Sequence, residues 1–409
     1  MKLATKLALK LATQWATGAV SWARRVTALL VVVSLCGCAA QSPRLPMASA
    51  PPLHDDAFRP PARPLDPARV FDLSPEMRQY AQQRLAPLMR SADPRRALIE
   101  QLYRLPEHGG LQLRYDTGST RNAAEAFADR AGNCLSLVIM TAAFARHFGL
   151  PVRFQSVRVP EVVSRSGDLT FVSGHANLML GGLRRETSGA DGSWLVVDFL
   201  PGADIRRQLA DEIPERTVLA MYMNNRAAEW LADGQLDEAY WAARDAIGID
   251  PVFLPAANTL AVVYLHRGLL DSAETTLRQL LAADTDNISA LSNLVNTLGR
   301  QGRAAEAEVV FRRLQALQPY PPFHFHDLGM AALARGEPEA ALAHFRDELR
   351  RHPDQAESHH GLAQAYWLLG DTARAARHLA QAVEHSTTLA SRSLYADKLA
   401  RLRGATRLQ

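Results

Sequence analysis

From residue 220 onward the apolar positions recur at three- and four-residue spacing, in blocks separated by Gly, Pro and Asp. This pattern predicts consecutive amphipathic helices. The preceding stretch mixes two patterns. Ser74-Pro75 and Asp93-Pro94 read as N-cap and first-turn pairs that start helices. Asn122–Arg130 reads as a short helix, and Cys134–Phe148 as a strongly apolar one that Gly149 ends. Val152–Val159, Leu169–Leu180 and Trp194–Phe199 have β character, with Gly and charged residues marking the loops between them. Leu111–Tyr115 stays open between a short strand and a site loop.

The helical half repeats. Gly234, Gly268, Gly302, Gly336 and Gly370 are each 34 residues apart, and so are Ala239, Ala273, Ala307, Ala341 and Ala375. Pro251, Pro319 and Pro353 stand where the repeat ends its second helix, and Thr285 replaces proline in the second unit. A 34-residue period with Gly between two helices and Ala at their closest approach is similar to the tetratricopeptide repeat (TPR). Five units over 220–389 and a capping helix over 390–409 follow. The resemblance implies an all-α solenoid whose groove takes a peptide or a protein.

The start of the chain is of another kind. Residues 1–25 are basic and free of acids, Val26–Leu35 is an apolar run too short to span a bilayer, and Leu35-Cys36-Gly37-Cys38 follows. This segment resembles the lipobox of bacterial lipoproteins. The resemblance implies a signal peptide over 1–37, lipid on the Cys38 sulfur, and a membrane anchor. An ordinary secretory signal with an incidental Cys38 is the alternative. Ala39 and Ala40, where inner-membrane lipoproteins often carry Asp, point to the outer membrane, facing the periplasm. Residues 38–72 are expected to be a tether, because 41–69 hold eight of the 23 prolines and show no apolar period. With Cys36 removed and Cys38 acylated, Cys134 is the only thiol left of three cysteines, and no intramolecular disulfide can form.

Cys134 falls in the first turn of its helix, where unpaired backbone N–H groups favour a thiolate. His175 shares a strand face with Ser173 and Asn177. Asp198 sits in the apolar run Trp194–Phe199, where an unpaired carboxylate would cost several kcal/mol. His175 is its candidate partner. The pieces Arg130-Ala131-Gly132-Asn133-Cys134-Leu135-Ser136, Gly174-His175-Ala176-Asn177 and Val196-Val197-Asp198 resemble the transglutaminase-like superfamily, whose fold is related to papain-type cysteine proteases. The resemblance covers 73–215 and implies an α+β domain with Cys134 as nucleophile, His175 as general base and acid, and Asp198 as orienter of the imidazole. Acyl transfer also needs donors for the developing oxyanion. The Cys134 N–H is one; Asn133 and Asn177 are candidates for site support, with closing the turn and bonding a loop as their structural alternatives. The bland alternative for the trio is a satisfied core histidine beside an unrelated aspartate.

Composition narrows the partners. Hydrophobic residues make up 47% and charged residues 22%, ordinary values that exclude wholesale disorder and a polytopic membrane protein. Lys2, Lys6, Lys10, Arg24 and Arg25 all precede the cleavage point, and without them the formal charge of +4 becomes −1. A nucleic-acid partner is therefore not expected. Trp230, Tyr264, Tyr366 and Trp367 are expected in the repeat core, and His324, His326, His359 and His360 lack the cysteines or clustered carboxylates of a metal site, so neither metal nor cofactor is implied. The main expectation is a membrane-anchored, cysteine-dependent amide hydrolase or acyltransferase acting on a protein or peptide recruited by the repeats. The alternative is a non-catalytic scaffold for envelope protein–protein interactions. Hydrolysis and transamidation remain equally open.

Overall fold

A computed structural model describes residues 47–406 apart from 105, 109, 167–168, 183–193 and 200–208. The expected signal peptide, 1–37, and Cys38 lie outside the described residues. Helix α1 (Pro75–Tyr80) starts at Ser74, whose hydroxyl accepts the Met77 N–H; α2 (Pro94–Tyr103) starts at Asp93, whose carboxylate accepts the Arg95 N–H. Proline suits both starts because a first-turn N–H has no helical partner to lose. Strand β1 (Arg114–Tyr115) pairs in parallel with β2 (Ala131–Gly132), and between them α3 (Ala123–Asp129) is held by an Asn122–Glu125 capping box.

Helix α4 (Cys134–His147) is buried at every position from Leu135 to Ala145. A helix apolar on all faces has no solvent side, so α4 is the central rod of this half. It packs on a sheet of β3 (Val152–Ser166), β4 (Leu169–Leu180), β5 (Leu195–Val197) and β6 (Leu209–Ile213), antiparallel throughout and ordered β5-β4-β3-β6.

Five helical hairpins follow: α5 (Glu215–Ala232) with α6 (Leu236–Ile249), α7 (Leu254–Arg267) with α8 (Leu270–Ala283), α9 (Ile288–Arg300) with α10 (Ala304–Leu317), α11 (His324–Ala334) with α12 (Pro338–Arg351), and α13 (Ala356–Leu368) with α14 (Thr372–His385). Helix α15 (Leu389–Thr406) closes the array. The five period glycines have φ between +74° and +84°, left-handed values that strain other residues, which is why the turn keeps glycine.

The stack is not uniform. Neighbouring repeats pack from first to third and from fourth to fifth, but α10 and α11 barely touch, and α10 has no buried residue. The 34-residue period runs on unbroken through this junction, so the loss of packing has a local cause. Pro319, Pro321 and Pro322 stiffen the connection, and Phe323 takes a left-handed φ of 65° before α11. Val309, Phe311, Leu328 and Met330 are left exposed.

The segment expected as a free tether is docked from Met47 onward. Phe58 stacks on Tyr240 with centroids 3.9 Å apart, the Tyr264 hydroxyl donates to the Pro52 carbonyl at 2.6 Å, and the Trp241 indole donates to the Arg59 carbonyl at 2.7 Å. The Pro52 and Arg59 carbonyls lie outside the segment's short 3-10 turn, Asp55–Ala57, and are taken instead by side chains of α6 and α7. The segment's position on the repeats corrects the tether expectation for 47–72. One apolar core runs from Leu98 and Phe144 through Phe58 to Tyr222 and Tyr264, across the expected boundary at residues 215–220. The far end of the array also returns to the front half: the Thr117 N–H donates to the Thr387 carbonyl at 3.0 Å, and the Leu389 N–H to Asp116 Oδ1 at 3.2 Å.

Candidate functional site

Cys134 opens α4, partly exposed. Its position is fixed from both sides. Asn133 is the N-cap: its Oδ1 accepts from the Ser136 N–H at 2.9 Å and from the Ser136 hydroxyl at 2.8 Å. Gly132 is demanded by space, since a Cβ there would lie 2.6 Å from the Ser136 Cβ. The Asn133 amide donates to Thr120 Oγ1 at 2.8 Å, and Thr120 in turn gives its N–H to Glu229 of α5 at 2.6 Å. The residue before the thiol is thereby tied to the first repeat.

The structure brings His175 and Asp198 together. His175 Nε2 lies 2.7 Å from Asp198 Oδ1, and their side chains are 3% and 1% exposed. The pairing follows from register: β4 and β5 match Leu178 with Val197, so the next step sets Asp198 beside Asn177 and within reach of His175. Cys134 is near enough to act on the same ring electrostatically. Burial by itself would lower the imidazole pKa; the bond to Asp198, with the negative charges of Asp198 and Cys134, outweighs it and pushes the value up to about 9. Asn177 donates to Asp198 Oδ2 at 3.4 Å and supports the carboxylate, while its buried Oδ1 makes no hydrogen bond among the described residues.

Sequence reasoning missed Tyr115. Burial, with the nearby Cys134 adding to it, holds its phenol well above the ordinary tyrosine pKa. The only signal was positional, the parallel pairing that sets Tyr115 opposite Gly132. Such an arrangement, a thiol flanked by an imidazole–carboxylate pair and a phenol, has the parts of nucleophilic acyl chemistry.

The histidines of the repeats go elsewhere. His359 Nε2 meets the Pro353 carbonyl at 3.0 Å, its Nδ1 meets His378 Nδ1 at 3.3 Å, and His360 Nε2 meets Lys398 Nζ at 2.7 Å. Of the four aromatics expected in the core, Tyr264 and Tyr366 are buried, Trp230 is half-buried, and Trp367 is 60% exposed. Among the described residues no helix is long and apolar enough to cross a membrane.

The helical half consists of tetratricopeptide repeats: models of that family match residues 231–298, 288–314 and 326–389. Such repeats are protein–protein interaction modules. Among curated proteins, the chain is similar to the type IV pilus assembly protein PilF of Pseudomonas aeruginosa, 30% identical over 131 residues, which are 31% of this chain and 51% of that one. It is also similar to the TPR repeat-containing thioredoxin TTL4 of Arabidopsis thaliana, 31% identical over 98 residues, 24% of this chain and 14% of that one. The chain thus spans about half or less of the curated relatives it matches. Among solved structures, PilF of Pseudomonas aeruginosa is 23% identical with a TM-score of 0.27, covering 47% of this chain and 87% of that one. MamA is 20% identical with a TM-score of 0.24, covering 42% and 93%. At these scores the structural likenesses carry no argument, and the family models alone assign the repeats.

Proposed function

We propose that the protein is a TPR scaffold for protein–protein interaction in the cell envelope, held at the membrane by lipid on Cys38 and facing the periplasm from the outer membrane. The observation that carries the scaffold is the family match over 231–314 and 326–389, joined to large apolar side chains left exposed on the repeats, Trp367 and Phe311 among them. The occupant is a protein or a peptide; nucleic acid is not proposed. A photo-crosslinking residue at position 367 should trap a discrete partner in cells, and one at exposed Leu209 of β6 should not. Equal trapping at both positions, or at neither, argues against the repeats as the docking surface. The anchor is tested separately: labelling by a palmitate analogue should disappear with Cys38→Ser.

A second reading is favoured by the buried His175–Asp198 pair beside Cys134. In it, residues 73–215 form a transglutaminase-like domain and 220–389 the repeats that bring it a substrate. Cys134 gives its proton to His175 and attacks an amide carbon, His175 returns the proton to the leaving amine, and Asp198 orients and charge-stabilises the ring. The resulting thioester passes its acyl group to water or to an amine. Alkylation of Cys134 by iodoacetamide at neutral pH should be rapid in the native protein and slow at least tenfold with His175→Ala; a thiol that reacts only after denaturation contradicts this reading.

A further inference from the structure

The break between the third and fourth repeats leaves open positions that the array closes elsewhere. Phe311 of α10 is 40% exposed, whereas its counterparts at 34-residue steps, Leu277, Phe345 and Leu379, are all buried. Phe345 shows what that position does: its ring lies against Gly361 of α13, the first helix of the next repeat. Leu328 of α11 is 39% exposed, while Leu260, Leu294 and Leu362, at the same place in other first helices, are buried. Ala331 is exposed too, one turn further on, where Val263, Thr297 and Ala365 are fully buried. Helix α10 therefore offers an apolar face suited to a first helix, and α11 offers one suited to a second helix.

Within one chain these two faces are held apart. The other repeat boundaries use four residues, 250–253, 284–287 and 352–355, whereas 318–323 uses six and carries Pro319, Pro321 and Pro322. Beyond the break, the far end of the array is fastened to the front half, Thr387 to Thr117 and Leu389 to Asp116. A second copy of this chain carries both missing faces, each of the right kind. We infer that two copies pair by exchanging this contact: α11 of each chain docks on α10 of the other, with Phe311 and Leu328 in each of two equivalent junctions. A reciprocal exchange closes about a two-fold axis, so it gives a dimer and not a filament. The contact uses neither Trp367 nor Cys134, so it stands or falls apart from the two readings above.

Two differently tagged full-length copies, co-expressed and solubilised in mild detergent, provide the experiment. Wild-type copies should co-purify. Phe311→Glu in both copies should cut co-purification about tenfold or more, because each junction would then bury an unpaired carboxylate, and Leu328→Glu in both should do the same. Pairing should recover when one copy carries Phe311→Glu and the other Leu328→Glu, since one of the two junctions is then apolar on both faces. A substitution that merely disturbed folding would give no such recovery. In cells, a photo-crosslinking residue at position 311 should join the second tagged copy within 324–334. The inference is overturned by wild-type copies that do not co-purify, by either variant pairing as well as wild type, or by a mixed pair as weak as the two variant pairs. A cross-link from position 311 to 324–334 of the same chain overturns it as well, because the junction would then close within one molecule.

Discussion

His175 Nε2 and Asp198 Oδ1 sit 2.7 Å apart with both side chains sealed from solvent, although neither residue lies in the apolar helix that carries the thiol. The pair makes the fold sensitive to alkali. The folded-state pKa of His175 is about 9, above the unfolded value, so its contribution is complete below pH 6.5 and is lost as pH rises through 9. At about 1.4 kcal/mol per unit, the loss is on the order of 3 kcal/mol. Urea unfolding should show stability falling over that window in the wild type, and a flatter, lower profile in Asp198→Asn.

The last repeat has the opposite sign. Burial is the main cause that lowers His360 and His378 to about 4, with Lys398 adding to it for His360 and His359 for His378. Groups depressed on folding stabilise above the unfolded pKa, and that stability is lost as pH falls from 6.5 towards 4. Amide exchange in α13 and α14 should quicken over this range, before α7 and α8 are affected. His378→Phe should blunt the acid effect.

Packing in the fourth and fifth repeats depends on two glycines facing one ring. A Cβ built at Gly329 or Gly361 would lie 2.6 or 2.5 Å from Phe345. Gly361→Ala should therefore cost about 1–3 kcal/mol by overpacking, against the roughly 1 kcal/mol that alanine returns in helix propensity. Phe345→Leu in the same chain should recover part of the loss in thermal unfolding.

The docked proline-rich segment can be tested by proteolysis. Phe58 is buried and stacked on Tyr240, and truncating such a ring costs about 3–5 kcal/mol. Cleavage between residues 47 and 64 should be slow in the native protein and fast in Phe58→Ala. Equal cleavage of both would mean that the segment is free.

The parts of this fold that were legible in sequence rest on short-range chemistry. The capping residues Ser74 and Asp93 start helices where they stand, because a cap acts within one turn. The repeat period was legible because the left-handed turn recurs at a fixed spacing. What depends on distant partners was not. The segment 47–64 reads as loose polymer until Tyr240, Trp241 and Tyr264 come to meet it. The open junction before α11 leaves the 34-residue period untouched. Trp367 was misplaced because it adjoins the consensus aromatic Tyr366, and one step along a helix turns a side chain about 100° away. Within the candidate site, the strand alternation that marked His175 and Asp198 has no counterpart for Tyr115, whose strand of two residues is too short to show a pattern.

The scaffold claim is tested most directly by the affinity of the partner trapped through position 367 for three full-length chains: wild type, Trp367→Ala and Cys134→Ser. Removing an interface tryptophan commonly costs 2 kcal/mol or more, so binding to Trp367→Ala should weaken by a factor of about 10 or more. Binding to Cys134→Ser should match wild type, because a scaffold holds its partner through the repeats. Affinity that ignores Trp367, or that is lost with the Cys134 thiol, would contradict the account.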